Sequence, residues 1–108
     1  DICVTTSAAT YGEFRGETLA GESNLWSTEH MRRQVERAQQ IQRERFAGSG
    51  ICYNSQIPPG EIAVYCKTSE GAEKMLQGAF ESLHLSGRAC NRILRVARTA
   101  ADLDGKER

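Results

Sequence analysis

Arg88, Arg92, Arg95 and Arg98 recur at spacings of 4, 3 and 3 residues, so on a helix they share one side. A guanidinium presents two parallel N–H donors, and a stripe of such forks is suited to phosphate or another anion. No carboxylate offsets them within the same segment until Asp102. The competing reading is an ordinary solvated basic face, paired with Glu70, Glu73 or Glu81 of the preceding helical segment. Arg88 differs from the other three. It follows Ser86-Gly87 in the first turn, where Gly87 admits a close approach and the free amides of a helix start add positive potential.

Other chemistry is sparse. The chain holds no GxxxxGK phosphate loop, no HExxH and no convincing Ser, His and Asp set, and His30 and His84 fall on different segments. Cys3, Cys52, Cys66 and Cys90 are spaced by 49, 14 and 24 residues, unlike the paired ligands of structural zinc. They read as reduced thiols, with Cys66 and Cys90 the best candidates for burial. A second basic group, Arg32, Arg33 and Arg37 with Arg43 and Arg45, is interleaved with Glu29, Glu36 and Glu44, which makes a mixed-charge surface.

The elements that would position these residues are helical. From Ser27 to Ala47, Met31, Val35, Ala38, Ile41 and Phe46 form one apolar stripe, with Ser27 or Thr28 as N-cap and Gly48 and Gly50 as the stop. A loop with Tyr53 and Asn54 as anchors leads to Pro58-Pro59, which opens a short helix to Cys66. Thr68 or Ser69 caps a third helix in which Ala72, Met75, Leu76, Ala79, Phe80 and Leu83 point to the core. Ser86 caps a last helix ending near Leu103, with Ile93, Leu94, Ala97, Ala100 and Ala101 as its apolar face, opposite the arginines. At the other end, Ile2 to Thr5 reads as a short strand, and Thr6 to Gly21 as a connection without sustained period. The fold class is therefore mainly α: a small three- to four-helix bundle over residues 27–108, preceded by an extended connection over 1–26.

Composition sets the outer bounds. At 108 residues, with 14 basic and 14 acidic side chains and 39% hydrophobic residues, the chain is one small domain with a modest core. Zero net charge argues against a generic nucleic-acid coat or an anionic-membrane binder. No run approaches the roughly 20 apolar residues of a membrane span, and a cytoplasmic location is the default expectation. The first residue is Asp1 and not Met, as in a piece of a longer protein.

The segment Leu85-Ser-Gly-Arg-Ala-Cys-Asn-Arg-Ile-Leu-Arg-Val-Ala-Arg-Thr-Ala-Ala-Asp-Leu103 resembles the LSARAYxRILRVARTIADL signature that ends magnesium-chelatase-like AAA+ ATPases of the ComM (YifB) type. Gly21-Glu22-Ser23 with Met31-Arg32 and Val35 looks like the GESSxxIRxRV helix of that family, and Asp1 to Phe14, Gln42 to Phe46 and Tyr65-Cys66-Lys67 also fit. Departures are Gly87 for the usual Ala, Cys90-Asn91 for the aromatic and the residue after it, and Ala100 for Ile. The resemblance implies a C-terminal AAA+ lid whose Walker motifs and arginine finger lie upstream, so that the fragment alone does not hydrolyse ATP. It implies that Arg88 is the sensor 2 residue reaching the terminal phosphates of ATP, bound with Mg2+ in the parent protein. It also implies partners: the upstream AAA+ core, neighbouring subunits of a hexameric ring, and DNA during branch migration. Arg92, Arg95 and Arg98 are then candidates for phosphate, subunit or DNA contact. The alternative is a stand-alone helical adaptor that binds protein or DNA through the arginine face without nucleotide.

Overall fold

The computed structural model describes residues 2–15 and 27–106. Four longer or shorter helices follow a single helical turn: α1 (Tyr11–Phe14), α2 (Thr28–Arg45), α3 (Ile62–Tyr65), α4 (Glu70–Leu83) and α5 (Gly87–Leu103). Two short 3-10 turns, Asn54–Gln56 and Pro59–Glu61, lie between α2 and α3, the second running directly into α3.

The local reasons for these boundaries lie in the caps. Ser27, Ser69 and Ser86 each sit in extended backbone and accept a hydrogen bond from the third residue on, the N–H of His30, Ala72 and Ala89 at 3.2, 3.3 and 3.2 Å. Each thereby satisfies one of the free amides of a helix start. On α2, Glu29 accepts from Arg33 at 3.0 Å and Glu36 from Arg32 at 3.1 Å, the expected i,i+4 pairs on a solvated face. Gly48 and Gly50, at φ +79° and +77°, take the left-handed backbone that ends α2. Between α4 and α5 the same region is occupied by His84, at φ +50°.

The core is small and lies where the end of α2 meets the Ile57 turn, α3 and one side of α5. Phe46, Ile57, Ile62 and Cys66 are buried together, with Ile51, Tyr65 and Leu94 packed against them. The Phe46 and Tyr65 rings meet edge to face, 5.0 Å between centroids. Ala38 is the remaining buried hydrophobic residue among those described.

Three expectations need correcting. Among the described residues there is no strand: Ile2 to Thr5 is exposed and irregular, because a strand needs a neighbour to take its amides and carbonyls. Tyr11–Phe14 is helical instead of part of an extended connection, and the rest of Thr6 to Gly21 lies partly outside the described residues. Second, α4 buries none of its residues. Leu76 and Ala79 are half-buried, while Met75, Phe80 and Leu83 face solvent. Likewise Met31 and Val35, on the first half of α2, are exposed, and the stripe docks only from Ala38 onward. Third, α5 docks by a different face from the one its apolar residues mark: Leu94 and Ala101 are half-buried, but Ile93, Val96, Ala97, Ala100 and Leu103 are exposed. The inward face is centred on Arg98 and Asp102, and the reason is a polar joint.

Candidate functional site

Asp102 has no exposed surface, and Arg98, Asn54 and Gln42 are buried beside it. The Arg45 fork closes on the Asp102 carboxylate, Nη1 donating to Oδ2 at 2.8 Å and Nη2 to Oδ1. Asn54 Nδ2 donates to Oδ2 at 2.8 Å, and Arg98 Nε to Oδ1 at 3.2 Å. Asn54 is itself fixed: its Oδ1 accepts from Arg45 at 3.1 Å, its Nδ2 also reaches Thr99 Oγ1 at 3.1 Å, and its N–H donates to Gln42 Oε1 at 3.2 Å. Arg98 also donates to the Lys106 carbonyl. One carboxylate thus ties the end of α2, the Asn54 turn and the end of α5 together. Among the described residues no buried side-chain nitrogen or oxygen lacks a partner.

Electrostatics follow from this geometry. Burial alone would push the Asp102 carboxyl up. The hydrogen bonds from Arg45 and Asn54, with the Arg45 and Arg98 charges, outweigh it and hold the group below the ordinary carboxylate range. The hydrogen bond to Asp102 raises Arg45 above its usual value against the opposing effect of burial. Burial likewise pushes the Cys66 thiol up, although the Arg98, Arg45 and Arg95 charges pull the other way.

The four arginines of α5 therefore do not form one outward stripe. Arg98 is buried and ion-paired to Asp102, with Nη2 at 3.1 Å from Oδ1. Arg95 is half-buried and donates through Nη2 and Nε to the Ile57 carbonyl at 2.7 and 3.2 Å, clamping α5 to the turn before α3. Arg88 and Arg92 are exposed. The acidic residues offered as their partners are engaged on their own segment: Glu70 with Lys74 at 2.7 Å, Glu81 with Gln77 at 3.0 Å and Glu73 with Thr68.

Arg88 sits one residue inside the capped start of α5. It lines an open groove together with Arg92, Arg95, the exposed Ile93 and Val96, and Pro59. A Cβ built on Gly87 would have no heavy atom within 4 Å, so the close approach that a glycine would permit there is not used within this domain. At 100° per residue, Arg88, Arg95 and Asp102 are successive heptad positions, within about 40° of one line along the helix.

A family model described as the C-terminal region of magnesium chelatase subunit ChlI matches residues 26–108. The chain belongs to this magnesium chelatase C-terminal family. Competence protein ComM of Haemophilus influenzae is 37% identical to it over 93 residues, which is 86% of this chain and 16% of that protein. The chain thus spans about a sixth of the length of that relative. No solved structure matches it.

As a magnesium chelatase C-terminal domain, the molecule departs from the sequence reading in its central polar group. Arg45, Gln42 and Asp102 carry the joint. The mixed-charge surface expected around Arg45 is corrected, because its fork turns inward onto Asp102 and Asn54, and spacing marks none of the three as a site residue. Asn54 is an anchor as expected, whereas Tyr53 beside it is exposed. The signal for Asp102 was its place four residues after Arg98, an i,i+4 pair on the arginine side of α5. Among the described residues no three His, Cys, Asp or Glu side chains are grouped to hold a metal, and no helix is long and apolar enough to cross a membrane. Cys3, Cys52, Cys66 and Cys90 are all free thiols, Cys66 buried and Cys90 half-buried.

Proposed function

We propose that this domain is the C-terminal helical lid of a magnesium-chelatase-like AAA+ ATPase, and that Arg88 reads the terminal phosphates of ATP as its sensor 2 residue. The observation that carries this reading is the placement of Arg88: exposed, in the first turn of a serine-capped helix whose far end is locked into the core. A guanidinium on a rigid helix loses little reorganisation energy when it meets charge that grows on phosphate oxygens during phosphoryl transfer. Its two donors fit such oxygens bidentately, and the free amides of the helix start favour the same charge.

In this reading ATP and Mg2+ are bound mainly by the upstream AAA+ core, which supplies the phosphate loop and the metal-holding side chains. Arg88 adds the contact that ties nucleotide state to lid angle. The parent works in the cytoplasm as a ring of subunits, hexameric by resemblance, and in DNA processing as the same resemblance implies; the relative it matches is named a competence protein. The stand-alone adaptor is disfavoured: its binding face required Arg95 and Arg98, which this fold uses internally.

Steady-state ATP hydrolysis by the full-length protein, native against Arg88→Ala at matched oligomeric state, tests the proposal. A fall of about tenfold or more, the effect of roughly 1.4 kcal/mol of lost transition-state stabilisation, is expected. An unchanged rate would remove Arg88 from the nucleotide.

A further inference from the structure

The Asp102 joint lies at the opposite end of α5 from Arg88, yet the two share a line along the helix. The 14 residue steps from Arg88 to Asp102 rise roughly 20 Å, and their directions differ by about 40°. The apolar grip on α5 is thin. Leu94 touches the core, while Ile93, Val96, Ala97, Ala100 and Leu103 face outward. Burial alone would favour a helix rolled so that this stripe turned inward. What opposes the roll is polar: the Arg45 fork and Asn54 on Asp102, Arg98 on the same carboxylate, and Arg95 on the Ile57 carbonyl.

We infer that Asp102 is a positioning residue, whose socket of Arg45, Asn54 and Arg98 fixes the roll of α5 and with it the direction in which Arg88 is presented. This deepens the nucleotide reading of Arg88 and rests on it. A helix turns largely as a unit, so a roll permitted at Asp102, opposed then among these polar contacts by the Arg95 bond to the Ile57 carbonyl, carries along to Arg88. Asp102 touches no phosphate in this arrangement and acts only through the helix.

The test is a double-mutant cycle on ATP hydrolysis by the full-length protein: native, Asp102→Asn, Arg88→Ala and the pair, each at matched oligomeric state. Asp102→Asn is expected to lower kcat about fivefold in the native background and to leave the Arg88→Ala rate unchanged. An equal fractional loss in both backgrounds would show a merely structural role and overturn the inference, as would no loss in either. Arg88→Ala without effect would overturn the nucleotide reading and this inference with it, whereas an Arg88→Ala effect with additive losses would overturn the inference alone. Should Asp102→Asn fail to fold, Arg45→Lys takes its place in the cycle, keeping the charge and losing the fork. The same non-additive pattern is expected, and a native rate for that variant overturns the inference.

Discussion

Arg45, the last residue of α2, and Asp102, near the end of α5, are 57 residues apart in sequence and joined fork to carboxylate with no exposed surface on the acid. The pair replaces what a larger hydrophobic core would do at this junction. A buried ion pair contributes little net stability against an apolar substitute of the same shape, but losing one partner strands the other.

Removal of the acid should therefore be costly, and its cost should depend on pH. Asp102→Ala leaves Arg45 and Arg98 without their counter-charge and is expected to cost about 3–5 kcal/mol in urea unfolding. Because the folded carboxyl is held below its unfolded value of about 4, its contribution is complete above that pH. It fades as the pH falls through the folded value. Helical circular dichroism followed from pH 6 downward should show a steeper acid loss for the native domain than for Asp102→Asn; parallel curves would contradict this.

Ile93 and Leu94 are neighbours with opposite roles. Leu94→Ala, which withdraws a side chain from the Phe46 and Ile62 cluster, is expected to cost about 2 kcal/mol. Ile93→Ala, on the exposed side, should cost under about 1 kcal/mol. Equal losses in thermal unfolding would place both in the core and return α5 to the orientation its apolar stripe suggests.

Gly87→Ala should stabilise the domain by about 0.5 kcal/mol. The position opens α5, its φ is not in the left-handed region, and a Cβ there meets open space. A lower unfolding midpoint in a denaturant series would show that the glycine is needed for the native backbone.

The thiols should separate by reactivity. Burial denies Cys66 both access and thiolate character, whereas Cys3 and Cys52 are exposed. Iodoacetamide under native conditions is expected to modify Cys3 and Cys52 first and Cys66 only after unfolding, which peptide mass mapping can resolve.

Helix boundaries were legible because serine caps and glycine stops act locally, within one turn of the residues that signal them. Ser27, Ser69 and Ser86 needed no tertiary information. The docking face of α5 was not legible for the opposite reason. Its sequence shows an apolar stripe and a basic stripe, and which of them faces inward depends on Arg45 and Asn54, partners 57 and 48 residues away. Spacing placed Arg88, Arg92, Arg95 and Arg98 correctly relative to one another. It could not show that Arg95 would meet a carbonyl and Arg98 a carboxylate.

The absence of any buried residue on α4 has a dynamic meaning. A helix held by its own hydrogen bonds, its serine cap and the half-buried Leu76 and Ala79 can open without disturbing the joint at Asp102. Its amide protons should exchange with solvent through local unfolding, well ahead of those in the second half of α2. Folding and flexibility are thus divided along the chain, with α2 and α5 as the frame and α4 as a segment free to reorganise when something covers Met75, Phe80 and Leu83.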